Sequence, residues 1–330
     1  MKPVIEIAGL TRNFGDLCAV YDLDLSIGTE IFGLLGPNGS GKTTTVLMLT
    51  TLLRPTSGTA SVCGHSCITE PMQVREQISY VPQEMAVDIK LTGRENVWFF
   101  AKMYGVPRPN DRVDEVLAVL DLTDRADDLV KTYSGGMRRR LELAQALVHE
   151  PEALFLDEPT IGLDVSARRN IWDHISRLRK DGMTVFVTTH YMDEADHACD
   201  RVGIIDKGKL VAVDTPAALK HQSAPDVISF RIPGPFTPIS GDFFSSLGKN
   251  GEMYMFATDD GLSSLPEIRC LLEKAGNQIT AVSLRSATLD DVFLQRIGTR
   301  EEETGFNERQ FRTMLRRRLC SRSSIISGGI

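Results

Sequence analysis

The stretch that decides the fold is GPNGSGKT at residues 36–43, which lies between an apolar run, IFGLL at 31–35, and a helix-like run at 43–53. A strand, a glycine-rich loop and a helix in this order are the context that confirms a phosphate-binding loop. We therefore predict that backbone N–H groups of the loop surround phosphate oxygens. The loop residues are Gly36, Pro37, Asn38, Gly39, Ser40, Gly41, Lys42 and Thr43.

The side chains at the end of the loop indicate which phosphates are bound. The Lys42 ammonium would neutralise the β- and γ-phosphates, and the Thr43 hydroxyl would hold Mg²⁺. Thr44 follows directly and can add a further phosphate contact. The loop thus predicts a nucleoside triphosphate with Mg²⁺, and an α/β fold around it.

A second group of polar residues comes at the end of the apolar run 153–156, where Asp157 and Glu158 follow. Ligands bind at the carboxyl ends of strands in open α/β sheets. We predict that Asp157 binds Mg²⁺, directly or through water, and that Glu158 acts as a general base on the attacking water. The stretch 166–180 is suited to the crossover helix of a βαβ unit, which leads to a strand at 184–189. His190 ends that strand and would contact the γ-phosphate and position Glu158 or the water.

The stretch YSGGMRRRLELA at residues 133–144 predicts another anion site. Ser134 is a typical helix N-cap, Gly135 and Gly136 follow, and an amphipathic helix continues. A helix N-terminus presents free N–H groups and a positive dipole end to an anion. The chain therefore carries two predicted phosphate sites, and the sequence pattern alone does not explain the second.

Composition limits the class of protein. The 330 residues carry a net charge of -7, which argues against general nucleic-acid binding, so no nucleic-acid partner is expected. The six cysteines are scattered and indicate reduced cytosolic thiols. No apolar run reaches the roughly 18 residues of a membrane span, and the N-terminus lacks a signal-peptide pattern.

Changes in pattern along the chain predict its organisation. Residues 1–222 form a nucleotide-binding domain, within which residues 88–150 are mostly helical. A linker near 221–225 leads to a small α+β domain at 226–300. Residues 301–330 form a basic tail, either flexible or a basic helix on an anionic membrane surface.

The ordered motifs resemble the ATP-binding subunit of an ATP-binding cassette (ABC) transporter over about residues 4–220. In that family the order is the phosphate loop, Gln83 in VPQ, the Ser-Gly-Gly motif, Asp157 with Glu158, Asp164 in GLD, and the histidine. The resemblance implies an ABC-type fold with a mixed sheet core, an antiparallel β subdomain and a helical subdomain. It also implies that Ser134, Gly135 and Gly136 contact ATP held by the other subunit of a head-to-tail homodimer, which accounts for the second site.

The same resemblance assigns further roles. Gln83 would sense Mg²⁺ and water and take part in catalysis, Asp164 would lie at the dimer contact, and Phe14 would stack on adenine. The surface around residues 83–100 would meet an integral membrane permease, which would hold the chain at the cytoplasmic face of the cell membrane.

Two positions depart from the family's commonest motif, which has Leu and Gln where this chain has Tyr133 and Met137. This form, together with residues 283–294, resembles a subgroup of exporters of drugs, lipids or polysaccharides, such as the daunorubicin-resistance ATPases. The implied function is ATP hydrolysis that drives export through a separate permease. The alternatives are a soluble ABC ATPase acting on ribosomes or DNA, which the single cassette and the lack of a long coiled coil count against, and an importer ATPase.

Overall fold

The computed structural model describes residues 3–223 and 225–293, and the chain divides into two compact units, one through Pro216 and one from Ala217. The strands of the first unit are β1 Ile5–Phe14, β2 Leu17–Ile27, β3 Ile31–Leu35, β4 Ser57–Val62, β5 His65–Ser66, β6 Ile78–Val81, β7 Ala153–Asp157, β8 Thr184–Thr189, β9 Arg201–Asp206 and β10 Lys209–Asp214. The helices are α1 Lys42–Leu49, α2 Pro71–Gln77, α3 Gly93–Met103, α4 Pro109–Val119, α5 Gly135–Leu147, α6 Val165–Lys180, α7 Met192–Ala198 and α8 Pro216–Ser223, the last crossing the division.

A mixed sheet forms the centre of the first unit, in the strand order β10-β9-β3-β8-β7-β6. All its neighbours run parallel except β10 and β9, which form an antiparallel hairpin. Every residue of β3, β7 and β8 is buried, as expected for parallel strands covered on both faces. Phe32, Phe186 and Phe155 are register partners on adjacent strands, with ring centroids 5.5 and 5.6 Å apart, and their packing joins the three strands.

An antiparallel sheet of order β2-β1-β4-β5 forms a second layer, and its apolar side chains join the core of the mixed sheet. The helical part contains α3, α4 and α5. Thr92 begins α3 with a capping box, because its hydroxyl accepts from Glu95 N–H while the Glu95 carboxylate accepts from Thr92 N–H. These layers confirm the predicted fold class.

The second unit contains β11 Asp226–Arg231, β12 Ser245–Asn250, β13 Met253–Thr258, α9 Gly261–Lys274 and β14 Ala281–Arg285. Its antiparallel sheet has the order β12-β13-β11-β14, and Phe230, Phe256 and Ile268 lie in its core. Thr288 and Asp291 hydrogen-bond reciprocally at the start of a helical segment that begins at Leu289, as their spacing predicts.

Two stretches differ from the sequence-based expectations. Helix α1 ends at Leu49, not near residue 53, because Thr51 adopts a φ of 63° that a helix cannot continue through. Helix α8 extends to Ser223 through most of the stretch expected to be a linker, and the division falls before residue 222. Residues 294–330, including the expected basic tail and the last residue of the 283–294 motif, lie outside the described residues.

Candidate active site

The carboxyl ends of neighbouring parallel strands carry the predicted site residues. Strand β3 leads into the phosphate loop and β8 into His190. Strand β7 ends at Asp157, and Gln83 is the second residue after β6. Because β3, β8, β7 and β6 are adjacent and parallel, these residues lie at one edge of the sheet.

The phosphate loop depends on its glycines. Gly39 and Gly41 have φ values of 80° and 106°, which side-chain-bearing residues rarely adopt. A Cβ at Gly36 would collide with the Ile205 carbonyl oxygen, since the loop packs directly on the end of β9. The Ser40 hydroxyl is buried and has no hydrogen-bond partner among the described residues, so the loop retains a polar group available to a ligand.

Lys42 is buried at the first position of α1, 5% exposed. Its ammonium donates to the carbonyl oxygens of Gly36 at 2.8 Å and Pro37 at 3.1 Å. The Glu158 Oε1 atom lies 3.5 Å from the same nitrogen. The lysine charge is thus fixed between the loop and the carboxylate that follows β7.

Asp157 and Glu158 are both buried. Thr188, on the neighbouring strand, donates its hydroxyl to Asp157 Oδ1, and both oxygens of Thr188 accept from Glu158 N–H. Asp157 Oδ2 is buried without a partner among the described residues. Burial, and to a lesser extent the nearby Asp157 charge, raises the pKa of Tyr80 to about 12, so this neighbour stays a neutral phenol.

His190 completes the edge of the sheet. Its Nδ1 atom lies 3.1 Å from Glu158 Oε2, and its ring lies 4.1 Å from the Tyr191 ring. The Arg168 guanidinium covers the Tyr191 ring at 4.4 Å. Lys42, Glu158 and His190 therefore form one connected set of charged and titratable groups.

The Ser-Gly-Gly motif, unlike the buried edge of the sheet, lies on an exposed helix end. The Ser134 hydroxyl caps α5 by accepting from Met137 N–H at 3.2 Å, and Ser134 and Gly135 are exposed. A cavity of about 170 Å³ lies beside this helix end, and its lining includes Ser134, Gly136, Arg140 and Asp164 but no residue of the phosphate loop. Asp164 accepts from Ala167 N–H and caps α6, so two helix N-termini border the cavity.

The profile of the ABC transporter family matches residues 21–161. The chain is 39% identical to the daunorubicin resistance ATP-binding protein DrrA3 of Streptomyces coeruleorubidus, over 89% of this chain and 96% of that protein. It is 38% identical to the daunorubicin/doxorubicin resistance ATP-binding protein DrrA of Streptomyces peucetius, over 89% and 92% of the two chains.

The chain belongs to the ABC transporter family. A solved structure of cbiO1 from Clostridium perfringens, part of the ABC transporter complex cbiONQ, matches with a TM-score of 0.63 and 27% identity, over 66% of this chain and 91% of that one. As an ATP-binding subunit of an ABC transporter, the chain binds and hydrolyses ATP and works with a membrane permease. The predicted resemblance to daunorubicin-resistance ATPases is confirmed.

The departure at Tyr133 has a structural reason in this ABC ATPase. The Tyr133 ring is buried below α3, and its hydroxyl donates to the Arg125 carbonyl at 2.6 Å. A Cβ at Gly93 would collide with that hydroxyl. The tyrosine therefore packs against the first turn of α3, where a glycine leaves room for it, and is hydrogen-bonded to the segment that contains Arg125.

The remaining predicted residues lie on the surface. Phe14 is 45% exposed at the end of β1, and the Arg12 guanidinium covers its ring at 4.5 Å. Gln83 is exposed in the loop after β6, and Thr43 is exposed at the start of α1. Thr44 is half-buried beside it.

Sequence reasoning missed Thr188 and Arg139. Thr188 has the pattern of an ordinary strand residue. Its contacts with Asp157 and Glu158 become visible only once β7 and β8 are known to be neighbours. Arg139 lies in a run of three arginines that resembles a solvated face, yet its side chain is 2% exposed. Its place on the core side of an amphipathic α5 was the signal that could have identified it.

Proposed function

We propose that this chain hydrolyses ATP to drive export of a drug, lipid or polysaccharide through a separate membrane permease. The observation that carries the proposal is the convergence of Lys42, Glu158 and His190 at the buried edge of the sheet, in a chain whose relatives are named for daunorubicin resistance. The chain works at the cytoplasmic face of the cell membrane, held there by the permease.

The hydrolysis step follows from the contacts of Glu158. A water oxygen attacks the γ-phosphorus, its proton passes to a Glu158 carboxylate oxygen, and the β–γ bridging oxygen leaves with the bonding electrons as ADP. Lys42 stabilises the negative charge that develops on the phosphate oxygens. His190 fixes the orientation of the Glu158 carboxylate from its other side.

Mg²⁺ suits the residues of this site. Asp157 Oδ2 is a buried oxygen to which no described residue is hydrogen-bonded, and Thr43 is exposed at the start of α1. Among the described residues no three His, Cys, Asp or Glu side chains cluster as a metal site, so the protein would supply only part of an octahedral oxygen shell. Mg²⁺ supplies charge neutralisation on the phosphates, and Gln83 would contribute a further oxygen.

A head-to-tail homodimer would use the Ser-Gly-Gly motif. Ser134 and Gly135 are exposed, and the cavity beside them contains Asp164 but none of the phosphate loop. In the proposed dimer, the α5 N-terminus of one chain contacts the γ-phosphate bound by the other. Phe14, 45% exposed, would stack on adenine.

The permease would dock on α3 and the preceding loop. Five large apolar side chains remain exposed there: Met85, Ile89, Trp98, Phe99 and Met103. An apolar surface of this kind marks a protein contact. No helix within residues 3–223 and 225–293 has the length and hydropathy needed to cross a membrane.

Affinity capture of the Glu158→Gln chain from gently solubilised cells of its source, with and without Mg-ATP, tests the proposal. Mass spectrometry should detect a multi-span membrane protein in stoichiometric yield, and the Lys42→Ala chain is the control for dependence on ATP. Ribosomal or DNA-repair proteins in place of a membrane protein would contradict the transport function and leave the ATPase assignment intact.

A further inference from the structure

Arg139 and Glu142 lie one helical turn apart on α5, and both are almost fully buried. The Arg139 Nη1 atom donates to Glu142 Oε2 at 2.8 Å. A buried ion pair is tolerated only when its other donors and acceptors are also satisfied. The partners of those other atoms therefore indicate what the pair does.

The Arg139 guanidinium contacts the backbone on both sides of Glu158. Its Nε donates to the Pro159 carbonyl at 2.9 Å, and its Nη2 donates to the Asp157 carbonyl at 3.3 Å. Glu158 itself has a φ of 48°, a conformation that residues other than glycine rarely adopt. Arg139 thus fixes the carbonyls that flank a strained residue, and that residue carries the proposed general base.

The same pair holds the loop that contains Gln83 at two points. Arg139 Nη1 donates to the Pro82 carbonyl at 2.8 Å, and Glu142 Oε1 accepts from Ala86 N–H at 2.6 Å. The two contacts lie on either side of Gln83. One ion pair therefore connects the Ser-Gly-Gly helix, the Gln83 loop and the turn at Glu158.

We propose that Arg139 and Glu142 are positioning residues that keep Glu158 and the Gln83 loop in register with the Ser-Gly-Gly helix. The inference rests on the proposed hydrolysis mechanism and deepens it. Neither side chain has a contact with the phosphate loop among the described hydrogen bonds, so ATP binding does not depend on the pair, whereas hydrolysis depends on the placement of Glu158. A small displacement of a reacting group lowers the rate steeply.

Two conservative variants of the full chain test this role. Glu142→Gln removes the charge that accepts from Ala86 and Arg139. Arg139→Lys keeps the buried positive charge but loses the planar set of donors that reaches several carbonyls at once. The matched control is Arg112→Gln, because Arg112 also bridges helices by donating to the Leu147 and Val148 carbonyls but contacts neither loop.

The measurements are the ATP Kd, single-turnover hydrolysis and hydrogen exchange at the Ala86 amide. Both variants should hydrolyse bound ATP about tenfold to a hundredfold more slowly, with the Kd unchanged within about twofold and with faster exchange at Ala86. Arg112→Gln should hydrolyse bound ATP at the wild-type rate.

Two results would overturn the role of the pair. One is wild-type hydrolysis in both variants, and the other is loss of ATP binding in parallel with hydrolysis, which would make the pair a general stabiliser of the fold. Failure of the proposed hydrolysis mechanism is distinguishable, because Glu158→Gln would then hydrolyse bound ATP at the wild-type rate.

Discussion

The carboxyl edge of the mixed sheet and the N-terminal end of α5 both present groups suited to phosphate, but they differ in burial. At the sheet edge Lys42, Asp157 and Glu158 are enclosed and contact one another or their neighbouring strands. At the helix end Ser134 and Gly135 face outward beside a polar cavity. The sheet edge carries the proposed reacting groups itself, whereas the α5 N-terminus is an exposed surface to which a second chain can bind.

The largest effect is expected from Lys42→Ala, which tests the sheet edge directly. Removal of the ammonium leaves the developing phosphate charge without its buried cation, so hydrolysis should fall by about a thousandfold. Steady-state phosphate release measures the loss, and Lys180→Ala, an exposed lysine at the end of α6, is the control. Near-normal turnover in Lys42→Ala would contradict the assignment of this edge as the reaction site.

Glu158→Gln should be slower by about a hundredfold or more, because an amide cannot accept the proton of the attacking water. ATP should still bind, since Lys42 and the phosphate loop are unchanged, and a dimer should accumulate. Size-exclusion chromatography with saturating Mg-ATP measures the dimer, and Glu76→Gln on the exposed side of α2 is the control. A purely monomeric Glu158→Gln chain would contradict the proposal that the α5 N-terminus contacts ATP bound by a second chain.

Ser134→Arg tests the outward-facing region alone. The long cation should block the helix end and lower hydrolysis by at least about tenfold, while the ATP Kd of the monomer stays within about twofold. Ser134→Ala serves as the milder comparison, since it removes the hydroxyl without adding a cation, and loss of the cap hydrogen bond costs about 1 kcal/mol of stability. If Ser134→Arg hydrolyses ATP at the wild-type rate, the α5 N-terminus takes no part in hydrolysis.

Acid should lower the free energy of unfolding through His149, which lies just beyond the C-terminal end of α5. Burial, assisted by the Arg112 charge, lowers the pKa of His149 below its ordinary value of 6.5, although its contact with the Ile78 carbonyl opposes the shift. The folded chain then binds fewer protons than the unfolded chain, so this contribution to stability is complete above pH 6.5 and is lost as the pH falls below it. Urea unfolding at pH 7.5 and 5.5 measures the loss.

His149→Gln is the variant that isolates this effect, since a glutamine side chain does not titrate. It should show a smaller drop in unfolding free energy between the two pH values than the wild type. Equal drops would assign the acid sensitivity to other groups, among them His174, whose pKa burial also lowers.

The sequence predicted the sheet edge far better than its surroundings. Residues 36–43 and Asp157 carry local patterns, a glycine loop and a buried strand end, whose meaning does not depend on distant residues. Strand β12 was not predicted, because all six of its residues are exposed and it is a strand only through its pairing with β13. Arg139 was also missed because its role depends on distant parts of the chain: it donates to the Pro159 and Pro82 carbonyls.

The contact between Tyr133 and Gly93 also restricts how such a sequence can evolve. The tyrosine hydroxyl occupies the space that any side chain at position 93 would need. A side chain at Gly93 therefore requires the Tyr133 hydroxyl to move or to be removed, and its Cβ would also lie 3.2 Å from the Ala126 carbonyl oxygen. We therefore expect the effect of a substitution at position 93 to depend on which residue occupies position 133.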